Sequence, residues 1–140
     1  MREYNAAFFG LFENTFITLV NHYGKQVALN IFQEIMEIGL EKAYGNNFVK
    51  GKVGEFVRIV GERDKSVGLH VEFPEVTDKK IVYQFYDDPF PCLRNHVDFQ
   101  ELDATYLNFK IKILLGSGWH YKTTKHLWLG DAYTEHVITR

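Results

Sequence analysis

Trp119-His120-Tyr121-Lys122-Thr123-Thr124-Lys125-His126-Leu127-Trp128-Leu129-Gly130-Asp131-Ala132-Tyr133-Thr134-Glu135-His136-Val137-Ile138 is the stretch that decides the fold. Two runs rich in aromatic, Thr and aliphatic residues flank Gly130-Asp131, a pattern that predicts a β-hairpin closed by a tight turn. Strand side chains alternate between faces, so the hairpin presents imidazoles, a carboxylate and indoles on a rigid surface. A turn centred on Gly130-Asp131 sets His126 opposite Glu135, Trp128 opposite Tyr133, Leu127 opposite Thr134 and Lys125 opposite His136. One face then carries His120, Lys122, Thr124, His126, Trp128 and Glu135. The other carries Trp119, Tyr121, Lys125, Leu127, Thr134, His136 and Ile138.

Upstream of the hairpin, Gly116-Ser117-Gly118 ends a helix that Asp98 opens, with Glu101 three residues on as an acidic capping signal. Leu102, Tyr106, Phe109, Ile113 and Leu114 give that helix its apolar side. Asp87-Asp88-Pro89-Phe90-Pro91 interrupts strand pairing, because proline has no N–H to donate to a ladder. Before it, Val67 to Phe73 and Ile81 to Tyr86 alternate as strands, joined through a turn over Pro74 to Lys80. The N-terminal part is helical. Tyr4 to Tyr23 places Phe8, Leu11, Phe12, Thr15 and Leu19 on one stripe, and Gly24 is its stop. Lys25 to Tyr44 buries Val27, Ala28, Ile31, Phe32, Ile35, Leu40 and Ala43, and the short link at Gly24 predicts antiparallel packing of the pair. Val53 to Arg63 is a third helix, interrupted by Gly54 and Gly61. This order predicts one α+β domain over residues 1–140, with helices packed on a mainly antiparallel sheet built from two hairpins.

The chain of 140 residues is long enough to bury a substantial core, and 46% hydrophobic against 24% charged residues excludes a disordered chain. Aromatic residues reach 16%, with twelve Phe and eight Tyr, so many rings must fill a core, a pocket or an interface. A formal net charge of −2 with interspersed signs lacks the footprint of nucleic-acid binding. One cysteine, Cys92, rules out an intrachain disulfide and fits a reducing compartment. Met1-Arg2-Glu3-Tyr4-Asn5 has no signal-peptide pattern and no apolar run reaches membrane-spanning length, so the expected location is cytoplasmic, without a membrane partner.

Several residues invite chemistry. His126 beside Glu135 suits a general base with an orienting carboxylate, but an ordinary cross-strand polar pair on a solvated face is the plainer reading. A metal would gather His120, His126, Asp131, Glu135 or His136, but neither H-E-x-x-H nor paired C-x-x-C occurs; no metal and no cofactor are expected. Cys92 follows Pro91, with His96 four residues on, so a helical turn there would let an imidazolium lower the thiol's pKa. The plainer alternative for Cys92 is a small buried hydrophobe. Asp87 and Asp88 fit turn chemistry better than a carboxylate pair, since adjacent strand residues point opposite ways.

Gly130-Asp131-Ala132-Tyr133-Thr134-Glu135-His136 resembles the closing Gly-Asp-x-x-Cys-Asp-Phe-like signature of the L-2-amino-thiazoline-4-carboxylic acid hydrolase family, which is related to 4-vinyl reductase-type ligand-binding domains. Pro91-Cys92 looks like that family's Cys before its last helix, and Lys122-Thr123-Thr124-Lys125 is similar to its Thr-rich strand. The resemblance covers the final third of the chain, and the N-terminal helices agree only in type. Thr134 stands where the family has its second Cys, Glu135 replaces Asp and His136 replaces an aromatic, which leaves the reaction in question more than the fold. The resemblance implies a small-molecule pocket between helices and sheet and hydrolysis of a small cyclic amidine or thiazoline carboxylate. Its alternative is a non-enzymatic ligand sensor or homodimeric scaffold. In this reading Lys125 or His126 holds an anionic group, His136 or His126 moves protons, and Cys92 is the nucleophile. Trp119, Trp128, Tyr106, Tyr133 and Thr134 line the pocket.

Overall fold

A computed structural model describes residues 5–140; Tyr4, the expected start of the first helix, lies outside them. The described helices are α1 (Ala6–Tyr23), α2 (Lys25–Tyr44), α3 (Val53–Ser66) and α4 (Phe99–Leu114). The strands are β1 (Val71–Thr77), β2 (Lys80–Phe85), β3 (His120–Lys125) and β4 (Thr134–Thr139), paired antiparallel in the order β1-β2-β4-β3. The fold is α+β, as the order of elements in the sequence predicts.

Asn5 caps α1 by accepting from the Phe8 N–H at 3.1 Å. Gly24, at φ 87°, takes the left-handed turn that separates α1 from α2 with a single residue. Phe16 and Phe32, equally far from Gly24 on either side, meet edge to face with ring centroids 5.3 Å apart, so the two helices run antiparallel. The end of α4 matches its apolar run, and its Asp98 cap accepts from Gln100 N–H at 3.0 Å. Among the described residues no helix is long and apolar enough to cross a membrane.

Both hairpins depart from expectation in register. The first strand begins at Val71 rather than Val67 because Val67, Gly68 and Leu69 close the C-terminus of α3, their N–H groups donating to the carbonyls of Asp64 and Lys65. Pro74, expected in a turn, lies within β1 at a bulge between Glu72 and Glu75. An edge strand tolerates this, since an absent N–H there breaks no interior ladder.

The C-terminal hairpin is not closed by a tight Gly130-Asp131 turn. A 3-10 turn, Leu127–Leu129, precedes Gly130 at φ 90°, and Asp131 laces the loop by accepting from His126 N–H at 2.8 Å. Consequently Thr123, not Lys125, pairs with His136, and Lys125 pairs with Glu135. The register shift between Thr123 and Lys125 inserts one extra residue in β3. That residue inverts the alternation, so His126 turns inward instead of joining Glu135 on the outer face. Glu135 bonds Gln84 Nε2 at 2.7 Å and Thr124 Oγ1 at 2.7 Å instead.

Among the described residues the interior consists of two apolar clusters. One joins the ends of α2, α3 and α4 to the inner sheet face through Tyr44, Phe56, Tyr83, Leu107 and Ile138. The other joins α1 and α2 to the segment before α4 through Phe9, Phe16, Phe32, Phe90 and Leu93.

Candidate functional site

Between these clusters lies a cavity of about 160 Å³. Its walls are mostly apolar and come from every layer: Phe9, Leu40, Phe85, Phe90, Leu102 and Trp128 are representative. Pockets that hold small molecules combine such walls with a few convergent polar groups. Here most of those groups come from α4.

Asp103, Tyr106 and Lys110 recur at helical spacing and share the inward side of α4 with Leu107 and Leu114. Asp103 and Lys110 are 3% and 5% exposed, so an acid and a base occupy a stripe otherwise given to the core. Asp103 Oδ1 accepts from Tyr106 Oη at 2.6 Å. Its Oδ2 lies 3.3 Å from His126 Nε2 and 4.0 Å from His136 Nε2, aligned for a hydrogen bond with neither. The lateral geometry is fixed from the hairpin. His126 Nδ1 accepts from Trp128 N–H at 3.0 Å, which leaves the proton of the neutral ring on Nε2, facing Asp103. His136 Nδ1 pairs with Thr123 Oγ1 at 2.9 Å, while its Nε2 is sealed without a partner among the described residues. Burial drives the His136 pKa down to about 4, against the pull of Asp103, so this ring is neutral near pH 7.

Lys110 is the second centre. Its Nζ sits over the Tyr106 ring at 5.2 Å and the Tyr83 ring at 5.6 Å. Among the described residues it makes no hydrogen bond and no ion pair. Burial lowers its pKa, with Asp64 and Asp103 opposing from a distance. Asp64, from the last turns of α3, also lines the cavity and accepts a hydrogen bond from Tyr83 Oη. Burial raises its pKa, with Lys110 the first of the groups that oppose the rise. The cavity therefore holds a basic amine and a carboxyl group, each pushed towards its uncharged form.

The rim is built from the Asp87-Asp88 turn. Asp87 Oδ2 accepts from His70 N–H at 2.7 Å, and Asp88 Oδ1 from Phe90 N–H at 3.2 Å. Asp88 Oδ2 accepts from Trp128 Nε1 at 3.0 Å, tying the strand exit to the hairpin loop across the cavity wall.

Of the residues singled out from sequence, His126, Trp128, Tyr106 and Thr134 line this cavity, and His136 is buried behind it against Asp103. The others lie elsewhere. Lys125 is exposed, and its Nζ bonds Tyr133 Oη at 2.9 Å outside the cavity. Trp119 belongs to the sheet-side cluster and borders a separate hollow of about 310 Å³, whose polar residues Asn108, Lys112 and His120 are exposed. Cys92 is exposed, neither a buried hydrophobe nor part of the cavity wall, and its N–H donates to Glu13 at 2.8 Å. His96 shares the short turn after Cys92, as its hydrogen bond to Leu93 shows, but does not line the cavity. Among the described residues no three His, Cys, Asp or Glu side chains are grouped to hold a metal ion. Asp103, Lys110 and Asp64 were missed from sequence. The available signal was the spacing of Asp103 and Lys110 with Leu107 and Leu114, which sets charges into an apolar helix stripe.

The chain matches no family model and no curated protein.

Proposed function

We propose that this chain is a small-molecule-binding domain whose ligand occupies the cavity between helices and sheet. The observation that carries the reading is an apolar hollow onto which Lys110, Asp103 and His126 converge while sheltered from water. Its size suits one ring: an engineered apolar cavity of roughly 150 Å³ accepts benzene. Charge favours an uncharged ligand. Four aspartates, Asp64, Asp87, Asp88 and Asp103, line the cavity against Arg63 and Lys110, so a further carboxylate would add to an excess of acidic groups. Lys110, not Lys125, is the amine placed to contact the ligand, and it does so as a polar group to an uncharged molecule rather than as the anion holder expected of Lys125.

Thermal denaturation with a series of neutral monocyclic compounds, benzyl alcohol first, tests the reading. Saturable stabilisation in the wild type that disappears in Met36→Trp, where an indole takes up the hollow, is expected. No stabilisation by any member of the series would overturn it.

Hydrolysis of a small cyclic amidine or thiazoline carboxylate is the second reading, and the Asp103–His126 pair is the observation that favours it. Both ring nitrogens of His126 are directed at protein groups, and Cys92 lies away from the cavity, so binding ranks first. Turnover of a thiazoline carboxylate that vanishes in His126→Ala would reverse that order. A homodimeric scaffold rests on Leu11, Val27 and Ile38, which are exposed along α1 and α2, and sedimentation velocity tests it.

A further inference from the structure

We propose that Lys110 captures aldehydes or ketones as a reversible imine, so that the ligand class of this cavity is the small carbonyl compound. The inference rests on the cavity being the binding site and goes further by naming the bond formed there. Three features of the geometry and one of the electrostatics support it.

The amine is inside the hollow, on a helix, with its stem held by the core: Lys110 is 5% exposed and contributes to the cavity wall. Its nitrogen is engaged by no carboxylate, carbonyl or hydroxyl among the described residues, only by the faces of Tyr83 and Tyr106. A lysine kept for structure in so apolar a place is ordinarily locked into an ion pair, because an isolated buried ammonium is costly. Desolvation also favours the neutral amine, which is the nucleophilic form. Finally, acid–base groups surround the position. Asp64 lines the same cavity, and the Tyr106 hydroxyl is held by Asp103.

The chemistry balances without an oxidant or reductant. The Nζ lone pair attacks the carbonyl carbon; the C–N bond forms as the C–O π pair moves to oxygen and takes a proton. The nitrogen gives up a proton, giving the carbinolamine. Protonation of the hydroxyl by the carboxyl of Asp64, which lines the same cavity, lets it leave as water while the nitrogen lone pair forms the C=N bond, and the resulting iminium N–H returns that proton to Asp64. The sum is amine plus carbonyl giving imine plus water, and hydrolysis reverses it. An apolar wall slows that reversal by limiting water, and a monocyclic aldehyde leaves its ring against Phe9, Phe90 and Leu102.

Benzaldehyde with sodium cyanoborohydride at pH 7 tests the proposal, since reduction fixes an imine as a benzylamine readable by intact mass and peptide mapping. One benzyl group on Lys110 is expected before other amines react. An exposed lysine is almost wholly protonated at pH 7, whereas burial favours the free amine at Lys110, so labelling there should outpace labelling at every exposed lysine. Excess benzyl alcohol, which fills the cavity without a carbonyl, should suppress it in the wild-type protein. Lys110→Arg should abolish it, and the competition arm stands even if that variant fails to fold. Labelling spread evenly over surface amines, or a folded protein unlabelled at Lys110, would overturn the proposal. Thermal stabilisation by benzyl alcohol with no labelling at Lys110 would leave the cavity as a binding site and remove the imine; absence of both would remove the two together.

Discussion

Oδ2 of Asp103 lies 3.3 Å from Nε2 of His126, and the two side chains reach each other from a helix and a hairpin far apart in sequence. Both are sealed, at 3% and 6% exposure. Removing the acid strands the Tyr106 hydroxyl and takes the facing carboxylate away from both imidazoles, and breaking such a buried set costs about 3–5 kcal/mol. Asp103→Ala should therefore lose stability on that scale in urea denaturation. Asp103→Asn, which still accepts from Tyr106, should lose about 1–2 kcal/mol. Equal losses in the two variants would mean that the charge, not the hydrogen bond, matters at this position.

His136 makes stability depend on pH. The unfolded ring takes up its proton near 6.5, while the folded ring does so only at about 4, because burial disfavours the charged form. Between those values the unfolded state binds more protons, so stability rises with pH. The contribution is complete above pH 6.5 and is lost as pH falls towards 4, reaching about 3 kcal/mol. His136→Phe should flatten this part of the curve, since the rings of Tyr83, Phe85 and Tyr121 already surround the site. Denaturation midpoints at pH 4.5 and 7 in the two proteins read the difference.

The two tryptophans report on different places. Trp128 borders the cavity and donates to Asp88, whereas Trp119 packs in the sheet-side cluster under Arg140 at 5.7 Å. In Trp119→Phe, benzyl alcohol should shift or quench the remaining emission with the same midpoint as its thermal effect. In Trp128→Phe the emission of Trp119 should stay constant. A response of Trp119 instead would move the binding position to the other hollow.

Gly10 lies inside α1, and a Cβ built on it meets nothing within 4 Å. Glycine within a helix costs backbone entropy relative to alanine. Gly10→Ala should stabilise the fold by about 0.5–1 kcal/mol without altering ligand binding. Thermal midpoints with and without benzyl alcohol check both halves of the statement.

The helices were readable because their apolar residues keep a helical period and end at glycines: α2 runs from Lys25 to Tyr44 as expected, and Gly24 and Asp98 mark boundaries by local backbone chemistry. The strands were less readable. Val67 has the composition of a strand residue but its N–H completes α3, and Pro74 is tolerated only because β1 is an edge, a fact of sheet order. One extra residue in β3 turned His126 from the solvent face to the interior, and no local pattern announces a bulge there. His126, His136, Tyr106, Trp128 and Thr134 were picked out as aromatic or polar hairpin and helix residues, and they do converge. Asp103 and Lys110 escaped because charged residues on a helix are normally solvated, so their spacing with Leu107 and Leu114 carries less weight than their charge until packing shows that stripe buried.

The hollow leaves the two clusters joined along a seam, with α1 resting almost wholly on one side of it. A protein divided in this way opens first where least apolar surface holds it. Deuterium should accordingly enter the amides of α1 well before those of β2, which is buried between two neighbouring strands. A guest bridging the seam should slow the first exchange and leave the second untouched, so the gap between the clusters also sets how the chain breathes.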